Sequence, residues 1–210
     1  MSTTKGLLAS FLLMLTFASF NSWRFSAKSK TYLLSTHKVN EATLQRLKQQ
    51  ASSVIPYVTK KHFNSNVCFF VDMSIASGKK RFFVYDLAGD SVIKEGLVAH
   101  GSCDAGFQID PSFSNRPNTG CSALGKYKIG GCYQGTFGLA FKLHGLDSSN
   151  SNAFDRNIVL HAYDCVPDDE TYPSPLCNSR GCPMVSPGFL DQIKPIINKS
   201  SKPILLWIYQ

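Results

Sequence analysis

A histidine and a cysteine stand at a spacing that could do covalent chemistry. Ile158-Val159-Leu160-His161-Ala162 is a short apolar run of strand length that delivers an imidazole near its end. Seventeen residues rich in Pro, Asp and Cys separate His161 from Ser179-Arg180-Gly181-Cys182-Pro183-Met184-Val185, which delivers a thiol. A thiol becomes a strong nucleophile at neutral pH when a base lies within hydrogen-bond reach, and an imidazole is the usual one. Gly181 lets the backbone turn tightly, so the amides of Gly181 and Cys182 could face a developing oxyanion. The pattern is that of a thiol acyl-transfer site. By spacing alone it describes a buried histidine and a packed cysteine in a β core at least as well.

Two other chemistries compete for the same residues. His161, Cys165, Cys177 and Cys182 are ligand types for a structural zinc, although the gap between Cys165 and Cys177 lacks the close pairing of strong zinc motifs. A papain-like protease would need its cysteine before its histidine, the reverse of the order here.

The elements that must position the pair follow from periodicity. Asn40 can cap a helix with Val39 and Leu44 at staple positions and Leu44, Leu47, Ala51 and Val54 at helical spacing; Pro56 is expected to end it. Val67–Ala76, Lys80–Leu87 and Ser91–His100 read as a three-stranded meander, the first two joined by a tight turn at Ser77-Gly78. A long Gly/Ser/Pro/Asn-rich loop, Gly101–Gly120, interrupts; loops of that length are often functional. Tyr127–Ile129, Leu139–Leu143 and Ile158–His161 are further strands, the first two divided by Gly130-Gly131. Ser186 and Pro187 suit the cap and first turn of a helix bearing Phe189, Leu190, Ile193, Ile196 and Ile197, which Pro195 should kink or end. Pro203–Tyr209 reads as a buried strand. The fold class is mainly β with flanking helices.

Hydrophobic content of 43% with 17% charged residues indicates a globular chain rather than a disordered one. Its 22 Lys+Arg against 14 Asp+Glu are scattered, with no arginine-rich helix or aromatic-interleaved basic patch, so no nucleic-acid partner is expected. After Lys5, the fifteen residues Gly6–Phe20 are mostly apolar. Crossing a bilayer takes about 20, so residues 1–22 read as an export signal, with an uncleaved anchor ending near Trp23 as the alternative. Residues 23–64 read as a basic linker and packing helix, and 65–210 as the functional domain. Cys68, Cys103, Cys121, Cys132, Cys165, Cys177 and Cys182 suit an oxidising, extracytoplasmic setting; with Cys182 free, six remain for up to three disulfides. Cys68 in its apolar strand equally fits a buried thiol.

The stretch from about Val67 to Gln210 resembles the catalytic domain of the YkuD-type L,D-transpeptidases. Within that family it is most similar to the murein L,D-transpeptidase catalytic domain branch, with Ser-x-Gly-Cys-Pro in place of Ser-His-Gly-Cys. The resemblance rests on His161 followed by Ser179-Arg180-Gly181-Cys182, and on His100-Gly101, Phe113-Ser114-Asn115, Ser122–Tyr127, Leu143–Leu146 and Asn152–Arg156, in that family's order. Arg180 replaces the usual second histidine. Ala162 follows the base where Gly or Ser is common, and Pro183-Met184 departs from the usual ending.

The resemblance implies a β-sandwich or mixed-sheet domain in which Cys182, activated by His161, attacks peptidoglycan stem peptides to give a thioacyl-enzyme. The acyl group would pass to an amine, or to water as L,D-carboxypeptidase activity. It implies oxyanion contacts from Gly181 and Cys182, and substrate contacts from Arg180, Ser179 and His100, with His100 and His144 otherwise structural. No cofactor or metal is implied, and the protein is expected to be a monomer that touches a membrane only through its N-terminus. A catalytically idle wall-binding module of the same fold is the alternative. Because Cys165 and Cys177 share one loop, they are expected to pair with each other and keep Cys182 free.

Overall fold

A computed structural model describes residues 39–210. The export segment, its anchor alternative and the linker residues 23–38 lie outside the described residues.

Helix α1 (Glu41–Lys60) begins at Asn40, whose side chain accepts from the Thr43 amide at 3.2 Å. Leu47, Ala51, Val54 and Val58 form its buried stripe. Pro56, expected to end the helix, does not. It lies on the exposed side, and Val58 and Phe63 are anchored in the core beyond it. Burial of the stripe outweighs the one backbone bond that proline removes.

Nine strands form one mixed sheet: β1 (Val67–Asp72), β2 (Phe82–Asp86), β3 (Ser91–Gly96), β4 (Val98–Ala99), β5 (Gly125–Gly135), β6 (Gly138–Gly145), β7 (Val159–Ala162), β8 (Met184–Val185) and β9 (Leu205–Tyr209). Their order is β3-β2-β1-β9-β5-β6-β7-β8-β4. The pairs β1–β9 and β7–β8 are parallel and the rest antiparallel. β3 and β4 stand at opposite ends of that order, yet only Leu97 separates them in the chain. The sheet must therefore curl until its two edges nearly meet.

Alternate residues of a strand face opposite sides, and both sides are covered here. Cys68 and Phe70 pack with α1, Phe83, Tyr85 and Leu205. Phe69 and Val71 face the interior of the curl, with Phe141, Leu160 and helix α2 (Pro187–Lys199). Burial on two sides is why these strands read as unbroken apolar runs. Ser186 caps α2 by accepting from the Phe189 amide at 3.0 Å, and the helix runs through the exposed Pro195 as α1 runs through Pro56.

Three further expectations change. The strand expected over Ser91–His100 breaks at Leu97, because β4 leaves for the other sheet edge and pairs with β8. Gly130-Gly131 does not divide two strands; it is a bulge inside β5, where the register on β6 slips between Ile129 and Cys132. Ser77-Gly78 is a wider loop rather than a tight hairpin, and the Gly78 carbonyl accepts from the Thr171 and Tyr172 amides.

Candidate active site

The parallel pairing of β7 with β8 brings the histidine and the cysteine together. His161 lies beside Met184 in that register, and Cys182 is two residues before Met184. A parallel pair needs a crossover, and the crossover here is the loop between them. Disulfide Cys165–Cys177 closes that loop on itself, as expected. Zinc ligation by His161, Cys165, Cys177 and Cys182 is thereby ruled out as read, because two of its four ligands are joined to each other.

His161 and Cys182 line one cavity of about 420 Å³, together with Phe137, Tyr163, Ser179 and Arg180. The imidazole is only 5% exposed. Its Nδ1 lies 3.0 Å from the Ala162 carbonyl oxygen. A carbonyl only accepts, so Nδ1 carries the proton and Nε2 keeps its lone pair. Burial lowers the imidazole pKa, and the bond to Ala162 partly opposes that. His161 is thus held neutral, with Nε2 unprotonated.

The Cys182 thiol donates to the Asn157 carbonyl at 3.8 Å. Burial raises its pKa, offset in part by the Val159 backbone and by the charge of Arg156. Thiol and imidazole are both neutral at rest, so negative charge would develop at Cys182 only if its proton left. Arg156 is the cation placed to meet it. Its Nη1 donates to the Ser114 carbonyl at 2.8 Å and its Nη2 to the Cys121 carbonyl. Nothing in the residue types around Arg156 points to a place at the site; its charge bears on the Cys182 thiol only through the fold.

The turn before Cys182 is built as a clasp. Gly181 has φ of +109°, and a Cβ there would come within 2.6 Å of the Cys121 carbonyl oxygen, so only glycine fits. The Gly181 amide, expected to face the oxyanion, instead donates to Ser179 Oγ at 3.1 Å. That hydroxyl in turn donates to the Cys182 carbonyl at 2.7 Å. A turn this tight needs the amide for its own closure. Ser179 lines the cavity while holding the turn, and Arg180 lines it from the exposed side.

His100, expected as a substrate contact, does not line that cavity. It is fully buried; Arg81, also fully buried, donates through Nη2 to its Nδ1 at 2.9 Å. Burial and that cation lower its pKa to about 4. The His100 carbonyl accepts the Ser179 amide at 2.8 Å, so His100 braces the clasp from behind. His144 stacks on Phe154, with ring centroids 4.8 Å apart.

Of the six remaining cysteines, four pair. Cys103–Cys121 ties the start of the long loop to its far side, a bridge not expected from the sequence. Cys68 is fully buried in β1, where burial raises its thiol pKa, and Cys132 is exposed on β5. Among the described residues no helix is long and apolar enough to cross a membrane.

The profile of the L,D-transpeptidase catalytic domain family matches residues 38–209, taking in α1 as well as the motif-bearing region. Curated proteins include no match. Among solved structures, the chain is similar to an L,D-transpeptidase from Mycobacterium smegmatis, at 10% identity and TM-score 0.40, over 69% of this chain and 59% of that one. It is also similar to the helical cell shape determining protein from Campylobacter jejuni, at 12% identity and TM-score 0.42, over 69% of this chain and 47% of that one. The matched part thus spans about half to three-fifths of those proteins.

Proposed function

We propose a reaction for this chain on the premise that it belongs to the L,D-transpeptidase catalytic domain family, as the match over residues 38–209 shows. The protein is a cysteine-dependent acyltransferase acting on peptidoglycan stem peptides outside the cytoplasm, as a monomer. Cys182 Sγ attacks the carbonyl carbon of the third residue of a tetrapeptide stem while its proton passes to His161 Nε2. The tetrahedral oxyanion is met by the Cys182 amide, because the Gly181 amide is engaged by Ser179. Collapse breaks the bond to the terminal D-alanine, which leaves with the proton from the imidazolium. An amine or water then attacks the thioester, giving up a proton through His161. The C–S bond breaks and the thiol is restored. The products are a stem linked directly through its third residue, or a trimmed stem.

One observation carries this reading. A neutral imidazole with its Nε2 lone pair free and an unpaired thiol line the same cavity. Arg180, on the exposed side of that cavity, is assigned to a carboxylate of the donor stem. The test is intact-mass spectrometry of the purified protein mixed with a tetrapeptide stem. The expected result is release of D-alanine and a thioester adduct that maps to Cys182. Binding of the stem without an adduct would mark an idle wall-binding module instead.

A further inference from the structure

The sheet face that presents His161 continues beyond it as a strip of cations and aromatic rings. Ala140 lies opposite His161, and Lys142 opposite Val159, in the β6–β7 register. Tyr133 lies opposite Ala140, and Lys128 opposite His144, in the β5–β6 register. Paired residues point to the same face, and so do alternate residues along a strand. Tyr133, Lys142, His144 and Lys128 therefore share the face of the base. Lys142 stands one two-residue step, about 7 Å, along β6 from the position beside His161. Phe154 lies across the strip, stacked on His144. The Lys142 ammonium is 5.2 Å from the Phe154 ring centroid and 5.5 Å from that of Tyr133.

This strip borders a notch next to the hydrogen-bond partner of Cys182. Tyr133, Lys142, Phe154, Asn157, Ile158 and Val159 line a notch of about 30 Å³, room for one or two water-sized groups. The notch shares no lining residue with the cavity that holds His161 and Arg180. Yet Asn157 is the residue whose carbonyl accepts from the Cys182 thiol. Among the described residues the ion pairs use Arg46, Lys48, Lys80 and Lys126, and no carboxylate pairs with Lys142. Two ring faces hold this ammonium in place without neutralising it. The positive charge of Lys128 and Lys142 also bears on His144, lowering its pKa along with burial.

We propose that Lys142, held over Tyr133 and Phe154, receives the carboxylate of the amine that resolves the thioacyl-enzyme, making this notch the anchoring site of the acyl acceptor. The inference rests on the acyl-transfer reading above. In an α-amino acid the carboxylate is one carbon from the amine, so fixing the carboxylate aims the amine. Water offers no such handle. Arg180 in the main cavity and Lys142 in the notch then serve different substrates, donor stem and acceptor amine. The strip makes transfer to an α-amino carboxylate faster than transfer to a plain amine or hydrolysis.

The test measures how the thioacyl-enzyme formed with a tetrapeptide donor partitions among D-methionine, D-methioninamide and water. Wild type, Lys142→Met and Lys142→Arg are compared by mass spectrometry at equal free-amine concentration. Intrinsic nucleophilicity cancels, because the same two amines are compared across variants. Wild type is expected to favour D-methionine by about tenfold, the range of one charge-assisted contact. Lys142→Met should lose that preference and Lys142→Arg should keep most of it. The Cys182 adduct and the melting temperature of Lys142→Met report on its fold. A preference unchanged in Lys142→Met, or absent in wild type, overturns the acceptor site while leaving the acyl-transfer reading in place. Failure of wild type to form any adduct at Cys182 overturns both.

Discussion

The ring of Phe137 lies over the imidazole of His161, with centroids 5.3 Å apart and planes inclined by 24°. Phe137 sits in the turn between β5 and β6, 59% exposed, and also meets Tyr163 edge-on at 5.5 Å. An apolar ring over the imidazole withholds water from it, and burial is what lowers the His161 pKa.

Phe137→Ala should therefore raise the His161 pKa toward its ordinary value of 6.5. A general base works only when deprotonated, so the acid limb of the acylation rate should move to higher pH. The variant should lose more activity at pH 6 than at pH 8, and Phe137→Leu should fall between it and wild type. Rates of Cys182 acylation between pH 5 and 9 measure this. An unmoved limb would show that the stacked ring does not set the base.

Cys182→Ala is expected to abolish acylation while changing stability by no more than about 1–2 kcal/mol, the ordinary range for one substitution. His161→Ala should lose nearly as much activity. The double variant should be no worse than either single one, because groups that act as a unit give non-additive losses. Losses that multiply would mean the two side chains act separately.

Replacing both Cys165 and Cys177 with serine should cost roughly 2–4 kcal/mol of stability in the chain-entropy account of a closed loop. It should also slow acylation, by as much as about a hundredfold if the Cys182 turn drifts by about 1 Å. Denaturant unfolding and acylation rates under non-reducing conditions check both. An unchanged rate would show that the loop is held well enough by its bonds to Gly78 and Ser77.

His100 gives the fold a defined response to acid. Its pKa is about 4 in the folded chain against 6.5 for the ordinary group. Between those values the unfolded chain binds the proton and the folded chain does not. The contribution to stability is thus whole above about pH 6.5 and is lost as pH falls toward about 4. Urea midpoints from pH 7 to 4 should decline, and His100→Gln should decline less steeply. Parallel declines in the two proteins would remove His100 from the acid response.

What the sequence by itself determined is what neighbours in the chain decide. Asn40 and Ser186 cap their helices because capping needs only a side chain and an amide three residues on. The run ending at His161 is a strand, and Gly181 makes the turn before Cys182, because both follow from local backbone preference. The Cys165–Cys177 bridge was legible for the same reason, since both residues share one loop. Tertiary structure decided the rest. Pro56 and Pro195 end nothing, because burial of whole helix stripes outweighs one missing bond. His100 and Arg156 exchange importance: Arg81 claims the buried histidine, while the Cys121 carbonyl draws the arginine toward the thiol. Ser179 takes the Gly181 amide through a closure that residue types do not display. His161 and Cys182 share one cavity only because β7 pairs in parallel with β8, and the strip bearing Lys142 joins the face of His161 only through the registers of β5, β6 and β7. Sheet order and register are set by which apolar faces can be buried together across the whole chain, and no local stretch contains that information.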